Sequence, residues 1–379
     1  MILASDFIEE GKKRNFLLYT GVPCSYLKPF INYVIDSPDI EYIGAANEGE
    51  GVAIAAGATL AGINSVVMFQ NSGLGNAVNP ITSLIHTFKI PSLIITTLRG
   101  EPNGPKDEPQ HELMGKITTS LLDLMEVEWQ FFPENKKDIN EAYDKALKSI
   151  SNGKPYALVM KKGSVKEYKL KKKPLKKEIK KTKILPSNNT IGTRAETLEV
   201  IQKSIGYKDL LIATTGYTGR ELYALEDKEN QLYTVGSMGC ASSIGLGISL
   251  FSKKNRVIIL DGDGAVLMRM GALATIGYYR PNNFLHILLN NELHESTGGQ
   301  STVSHSTDFL GIAQSCGYQD VKSCSTIEEL ESLISNETEK LTFCLLNIKP
   351  GVMDNLPRPV IKPYEVAKRF KNYIRDNHD

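Results

Sequence analysis

No stretch of the chain approaches the ~20 consecutive apolar residues that a bilayer-spanning helix requires. The opening segment, MILASDFIEEGKKRN, turns acidic early instead of sustaining the apolar core of an export signal. Charge of one sign is also lacking. Lys and Arg total 44 against 43 Asp and Glu, so no global field recruits nucleic acid. Cysteine is scarce and scattered: Cys24, Cys240, Cys316, Cys324 and Cys344 form no C-x-x-C pair. That set suits reduced thiols better than a disulfide framework or a zinc site. The expectation is a soluble, cytoplasmic protein with neither a nucleic-acid nor a membrane partner.

What is abundant is a repeating pattern. Short apolar runs that end in Gly, Asn or Ser alternate with longer helix-like segments. FLLYTG, YIGAA, SVVMFQNSG, SLIITTLRG and YALVMKK read as buried strands, with GVAIAAGATLAG and INEAYDKALKSI as helices between them. The pattern resumes with LLIATTG, QLYTVG, RVIILDGDG, FLHILLNN and FCLLNIKPG. Strands alternating with helices predict an α/β fold of two mainly parallel sheets, each flanked by helices. A length of 379 residues fits two or three domains. The expected division is a first domain at 1–165, a lysine-rich linker at 166–189 and a second domain at 190–379. The lysine run lacks aromatic platforms and reads as a solvated connector, not a nucleic-acid patch.

Ligands of parallel sheets gather at the carboxyl ends of strands. RVIIL runs into DGDGAVLM at such an end, and FLHILLNN closes on Asn290 and Asn291 twenty-five residues or so further on. A carboxylate and a carboxamide at neighbouring strand ends can offer two hard oxygens to Mg²⁺, with phosphate oxygens completing the shell. Asp261, the first aspartate of the pair, reads as a turn or helix-start residue.

On these residues the chain resembles the thiamine diphosphate (ThDP) enzymes, whose fingerprint is G-D-G, a spacer, then N-N. The resemblance implies that Asp263 and Asn291 bind Mg²⁺ through side chains and Leu293 through its carbonyl. It implies a cofactor cradle from Thr215, Gly216 and Tyr217, from Gly236, Ser237 and Met238, and from Gly262, Gly264 and Ala265. Met238 would wedge between the cofactor rings, and the Gly236 carbonyl would meet the 4′-amino group. The cofactor also needs a shielded carboxyl group near N1′ of its aminopyrimidine. In NEGEGVAIAAGATLAG the residues alone leave Glu48 and Glu50 open; the family motif, with Gly57 nine positions on, selects Glu48. The two halves then correspond to a pyrimidine-binding (PYR) and a diphosphate-binding (PP) domain. In this family active sites form between chains, which implies a homodimer or homotetramer, and the chain has no room for the middle domain of the larger members.

TGVPCSYLKPFINYV, VVMFQNSGLGNAVNPITSL, LRGEPNGPKDEPQHELMGKIT and NNELHESTGGQST are most similar to the branch that decarboxylates phosphonopyruvate. The implied activity is a lyase reaction: a ThDP ylid attacks a 2-oxo acid and CO₂ leaves, yielding phosphonoacetaldehyde in phosphonate (2-aminoethylphosphonate-type) biosynthesis. Sulfopyruvate decarboxylation is the alternative, and a non-catalytic ThDP-binding scaffold the alternative of another class. A doubly anionic substrate calls for fixed donors and cations. Ser25, Asn71, Arg99, Lys106 and His294 are candidate substrate residues, with His111 a second candidate catalytic group and Arg269 a weaker phosphonate contact.

Overall fold

The computed structural model describes residues 1–173, 177–179, 184, 189–336 and 339–377. The chain divides into two compact units, Met1–Lys176 and Lys177–Asp379. That boundary falls within the lysine-rich 166–189 segment, of which residues 174–176, 180–183 and 185–188 lie outside the described residues. Its early part is tied to the first unit: Lys166 N donates to Ile2 O (2.8 Å), and Asn32 Nδ2 to Tyr168 O (2.9 Å).

The first unit is built on six strands: β1 (Phe16–Gly21), β2 (Glu41–Gly44), β3 (Asn64–Phe69), β4 (Leu93–Thr97), β5 (Glu128–Phe131) and β6 (Tyr156–Met160). They lie in the order β2-β1-β3-β4-β6-β5, and every pairing is parallel. The inner strands β4 and β6 are buried throughout, the mark of a parallel sheet covered on both faces. Helix Glu48–Leu60 packs directly on this sheet, and all thirteen of its residues are buried. Its Gly, Ala, Val and Ile content leaves no polar face to turn outward, as expected of a helix enclosed in a core. Close approach also needs Gly21, whose φ is +135° and whose hypothetical Cβ would stand 1.9 Å from Met68 O.

The second unit carries β7 (Thr190–Thr193), β8 (Asp209–Ala213), β9 (Gln231–Tyr233), β10 (Arg256–Gly262), β11 (Phe284–Asn290), β12 (Leu293–His294), β13 (Gln300–Ser301), β14 (Asp320–Ser323) and β15 (Thr342–Lys349). Its main sheet runs β14-β15-β11-β10-β8-β9, with β7 also pairing β15, all parallel. The short antiparallel pair β12–β13 follows directly on β11. The expected class holds in both halves: two parallel sheets flanked by helices. Strands β5 and β14 fall outside the runs picked from the sequence. Both sit at sheet edges, and EWQF and DVKS have mixed burial rather than a continuous apolar face.

Candidate active site

At the carboxyl ends of β8, β10 and β11 the second unit opens into a cleft. Thr214, Thr215, Gly216 and Tyr217 line it from the end of β8, Gly262, Asp263, Gly264 and Ala265 from the end of β10. Asn291, Leu293 and His294 line it after β11, and Met238 reaches in from the turn after β9. Residues scattered over eighty positions thus meet because parallel strands end on one rim. Gly236 and Ser237 are not on the cleft wall. With φ of +63° and +42° they are two successive left-handed residues that turn the chain just before Met238. Holding a serine in that region costs about 1 kcal/mol.

Three observations describe the cleft as a receptor for a ligand. A Cβ on Gly262 would meet nothing within 4 Å, so the backbone there lies open to an incoming ligand. A Cβ on Gly264 would strike His294 Cε1 at 2.5 Å and approach Met238 Cε at 3.2 Å, so these three residues close one corner together. Thr214 Oγ1, on the same wall, is buried with no hydrogen-bond partner among the described residues. Asp263 is buried and accepts a hydrogen bond from Thr302 Oγ1.

Asp261 is no turn residue. It lies inside β10, buried, with Oδ2 3.1 Å from His286 Nε2, while His286 Nδ1 is 3.0 Å from Tyr318 OH. A proton on His286 Nε2 completes the bond to Asp261, and the Tyr318 hydroxyl meets Nδ1 on the other side of the ring. Burial holds the Tyr318 hydroxyl well above its ordinary pKa, which keeps it a donor.

A buried ionic network that forms part of the cleft wall through Arg194 and Glu295 escaped the sequence reading. Arg194 donates through Nε to Glu221 Oε2 (2.8 Å) and through Nη1 to Glu295 Oε2 (2.7 Å). Glu295 Oε2 also accepts from Asn291 Nδ2 (2.7 Å). These residues sit in TRAETLEV, GRELYALE and NELHES, segments with no shared motif and up to about a hundred residues apart. Nothing in the local pattern flags them; only Glu295, four places after Asn291, carries a positional hint.

In the first unit, Glu48 opens the buried helix. Asn47 caps it, its Oδ1 accepting from Glu50 N (3.0 Å). Glu48 is buried, and its Oε2 accepts from Asn76 Nδ2 (2.8 Å). A Cβ on Gly73 would stand 1.9 Å from Glu48 Oε1, so the missing side chain is what makes space for the carboxylate. Glu50 is fully buried, and its Oε2 accepts from Ala46 N (2.6 Å), which makes it part of the turn into the helix.

The other candidates of this unit divide by how far their groups are already engaged. Asn71 is buried; its Nδ2 donates to Arg99 O (2.9 Å) and Thr118 Oγ1 (3.0 Å), and its Oδ1 accepts from Arg99 N (3.1 Å). Arg99 donates through Nε to Asp107 Oδ2 (2.9 Å) and lies 5.2 Å from the centroid of the Tyr26 ring. Hydrogen bonding from Arg99 holds the Asp107 carboxyl well below the usual carboxylate range, helped by backbone N–H groups of Glu108 and Gly100. Ser25 and Lys106 are exposed. His111 is buried, with Nδ1 lacking a partner among the described residues. Arg269, in the second unit, packs its stem 3.0 Å from a hypothetical Cβ on Gly239.

Residues 3–119 match the family model "Thiamine pyrophosphate enzyme, N-terminal TPP binding domain", and residues 215–348 match its C-terminal TPP binding domain counterpart. With a cleft of this form and a full-length relative at 39% identity, the chain belongs to the thiamine diphosphate-dependent decarboxylases. Within that family it is 39% identical to the phosphonopyruvate decarboxylase of Streptomyces viridochromogenes, over 99% of this chain and 95% of the relative. It is 30% identical to the sulfopyruvate decarboxylase of Methanosarcina acetivorans, over 97% of this chain and 96% of that one. Its fold is similar to a crystal structure of benzoylformate decarboxylase from Polynucleobacter necessarius, with a TM-score of 0.68 at 12% identity, covering 93% of this chain and 100% of the other.

Proposed function

We propose that this chain decarboxylates 3-phosphonopyruvate to phosphonoacetaldehyde and CO₂ in the cytoplasm, as a step of phosphonate biosynthesis. The observation that carries the reading is the likeness, along nearly the whole of both chains, to a phosphonopyruvate decarboxylase at 39% identity, against 30% for a sulfopyruvate decarboxylase. In the reaction the bond between C1 and C2 of the acid breaks, its electron pair stays on C2, and a proton takes the place of CO₂.

When bound, ThDP supplies the nucleophilic carbon and the electron sink that this bond cleavage requires. The chain's residues bind and orient it. Thr215, Gly216, Tyr217, Gly262, Gly264 and Ala265 line the cradle, and Met238 packs at the corner with His294. Mg²⁺ would be held by the side chains of Asp263 and Asn291 and the carbonyl of Leu293. Among the described residues no three His, Cys, Asp or Glu side chains form a metal cluster. A one-carboxylate site that relies on cofactor phosphates does not need one. Glu48 holds and exchanges a proton at N1′ of the aminopyrimidine. Asn76 steadies Oε2, and the space beside Gly73 accommodates Oε1. Two copies of the chain make the working unit, the Glu48 of one serving the cofactor cradle of the other. Ser25, Lys106, His111, His294 and the Nη1 of Arg99 are groups with donor capacity left for the carboxylate and phosphonate of the substrate. Arg99 also serves by holding the 100–110 loop through Asp107.

Initial rates with phosphonopyruvate, sulfopyruvate and pyruvate, each with ThDP and Mg²⁺ present or omitted, test the proposal. Phosphonopyruvate is expected to be strongly preferred, with turnover dependent on both additions. A preference for sulfopyruvate would reassign the substrate and leave the cofactor chemistry standing.

A further inference from the structure

We infer that Glu295 is a positioning residue that decides which end of the Asn291 carboxamide is offered to the metal, with Arg194 holding Glu295 in place for that task. The inference rests on the reading of Asn291 as a metal ligand.

A carboxamide has a donor end and an acceptor end of nearly equal shape, and only the oxygen can bind a hard cation. A carboxylate accepts and does not donate, so the Asn291 amide must turn its N–H toward Glu295. Nδ2 accordingly lies 2.7 Å from Glu295 Oε2, which directs Oδ1 away from that carboxylate and toward Leu293 N, from which it accepts (3.2 Å). The reverse rotamer would set two oxygens against each other with no proton between them.

Glu295 can impose this choice because it cannot itself turn. Oε1 accepts from Gly351 N (2.7 Å), and Oε2 accepts from Arg194 Nη1 (2.7 Å). Arg194 is held in turn by Glu221, through Nε to Oε2 (2.8 Å) and Nη2 to Oε1 (3.4 Å), and it donates to Gly351 O (3.2 Å). Glu221 Oε1 also accepts from Met353 N (3.0 Å). The side chains of Arg194, Glu221 and Glu295 are 7%, 0% and 11% exposed, so solvent does little to screen or replace these bonds. Four segments distant in the chain are thereby clamped around a single amide. Substituting outer groups of this kind typically costs about 10- to 100-fold in metal affinity.

The test is Glu295→Gln, because the neutral amide loses one acceptor oxygen and the charge that holds Arg194, so it faces Asn291 less firmly and leaves the Leu293 N–H as the main hold on Oδ1. ThDP binding is measured by calorimetry on the full chain across a series of Mg²⁺ concentrations. The Mg²⁺ concentration that gives half-maximal ThDP binding should rise by about 10- to 100-fold. The decisive comparison repeats the substitution in an Asn291→Asp background. Aspartate has two equivalent oxygens and no orientation to set, so there Glu295→Gln should leave the Mg²⁺ midpoint unchanged or lower it by relieving carboxylate repulsion. An unchanged midpoint in the native background overturns the inference, and so does an equal rise in both backgrounds, which would mark a merely structural role. If Glu295→Gln does not fold, Arg194→Lys carries the same comparison, since lysine keeps the charge but loses the two-ended fork. Asn291→Ala is the separate control: an unaltered midpoint there would remove Asn291 from the metal and overturn the underlying reading itself.

Discussion

His286 and Asp261 face each other across the parallel strands β11 and β10, Nε2 to Oδ2 at 3.1 Å, and neither side chain reaches solvent. Asp261 lies on the strand whose next residues, Gly262 and Asp263, enter the cleft. His286→Leu would fill much of the volume but leave the Asp261 carboxylate buried without its donor. The expected cost is about 3 kcal/mol of stability, read as a lower urea midpoint by circular dichroism. A midpoint equal to the native one would mean that Asp261 has found another partner or a proton.

Glu48→Gln should separate binding from turnover. Glutamine preserves the shape of the side chain and its contact with Asn76, so ThDP binding should remain close to native. Loss of an acid–base group at N1′ should lower kcat by about 10²- to 10⁴-fold. Calorimetric titration with ThDP and steady-state rates on the same preparation check the two halves of this prediction, and undiminished turnover would take Glu48 out of the chemistry.

Gly73→Ala approaches the same carboxylate from its other side. The added methyl would collide with Glu48 Oε1, so either Glu48 moves or the short helical turn at 71–73 shifts. Activity should fall by about the margin of a lost acid–base group, and the thermal midpoint should drop as well, because the methyl overpacks a buried site. A fully active Gly73→Ala enzyme would show that the position of Glu48 tolerates displacement.

The Arg99–Asp107 pair predicts a pH signature. Asp107 has a folded-state pKa lowered below its ordinary 3.8, chiefly by hydrogen bonding from Arg99. Its contribution to stability is therefore fully present above pH ~4 and is lost as pH falls through the lowered folded value. Asp107→Asn should be less stable than the native chain at pH 7 and at pH 5, and the gap should close in progressively more acidic buffer. Denaturant melts at several pH values measure it, and a gap that stays constant into strong acid would contradict the pairing.

The fold was legible in the sequence wherever a strand is enclosed on both faces. SLIITT and RVIIL are continuous apolar runs because a parallel sheet with helices on each side leaves no face for water. The edge strands EWQF and DVKS carry no such imprint, since half their surroundings are polar. The cleft was legible at Asp263, Gly264 and Asn291 because cradling a ligand against backbone demands glycine and fixed donors at set points along the chain. The clamp of Arg194, Glu221 and Glu295 was not, because a salt bridge requires only proximity in space and places no constraint on spacing or neighbours. Asp261 was misread for a related reason. An aspartate before glycine usually marks a turn, and only the presence of His286 across the sheet makes its burial inside a strand tolerable.

Helix Glu48–Leu60 has no residue on the surface. A typical helix has an outward face where substitutions accumulate harmlessly, and that face is where lineages diverge. Here every one of thirteen positions touches something: an added methylene crowds a neighbour, and a removed one opens a void. This segment therefore has almost no neutral variants open to it. Adaptation of the enzyme to new acids must proceed through the loops that follow the strands, with the element that presents Glu48 left as it is.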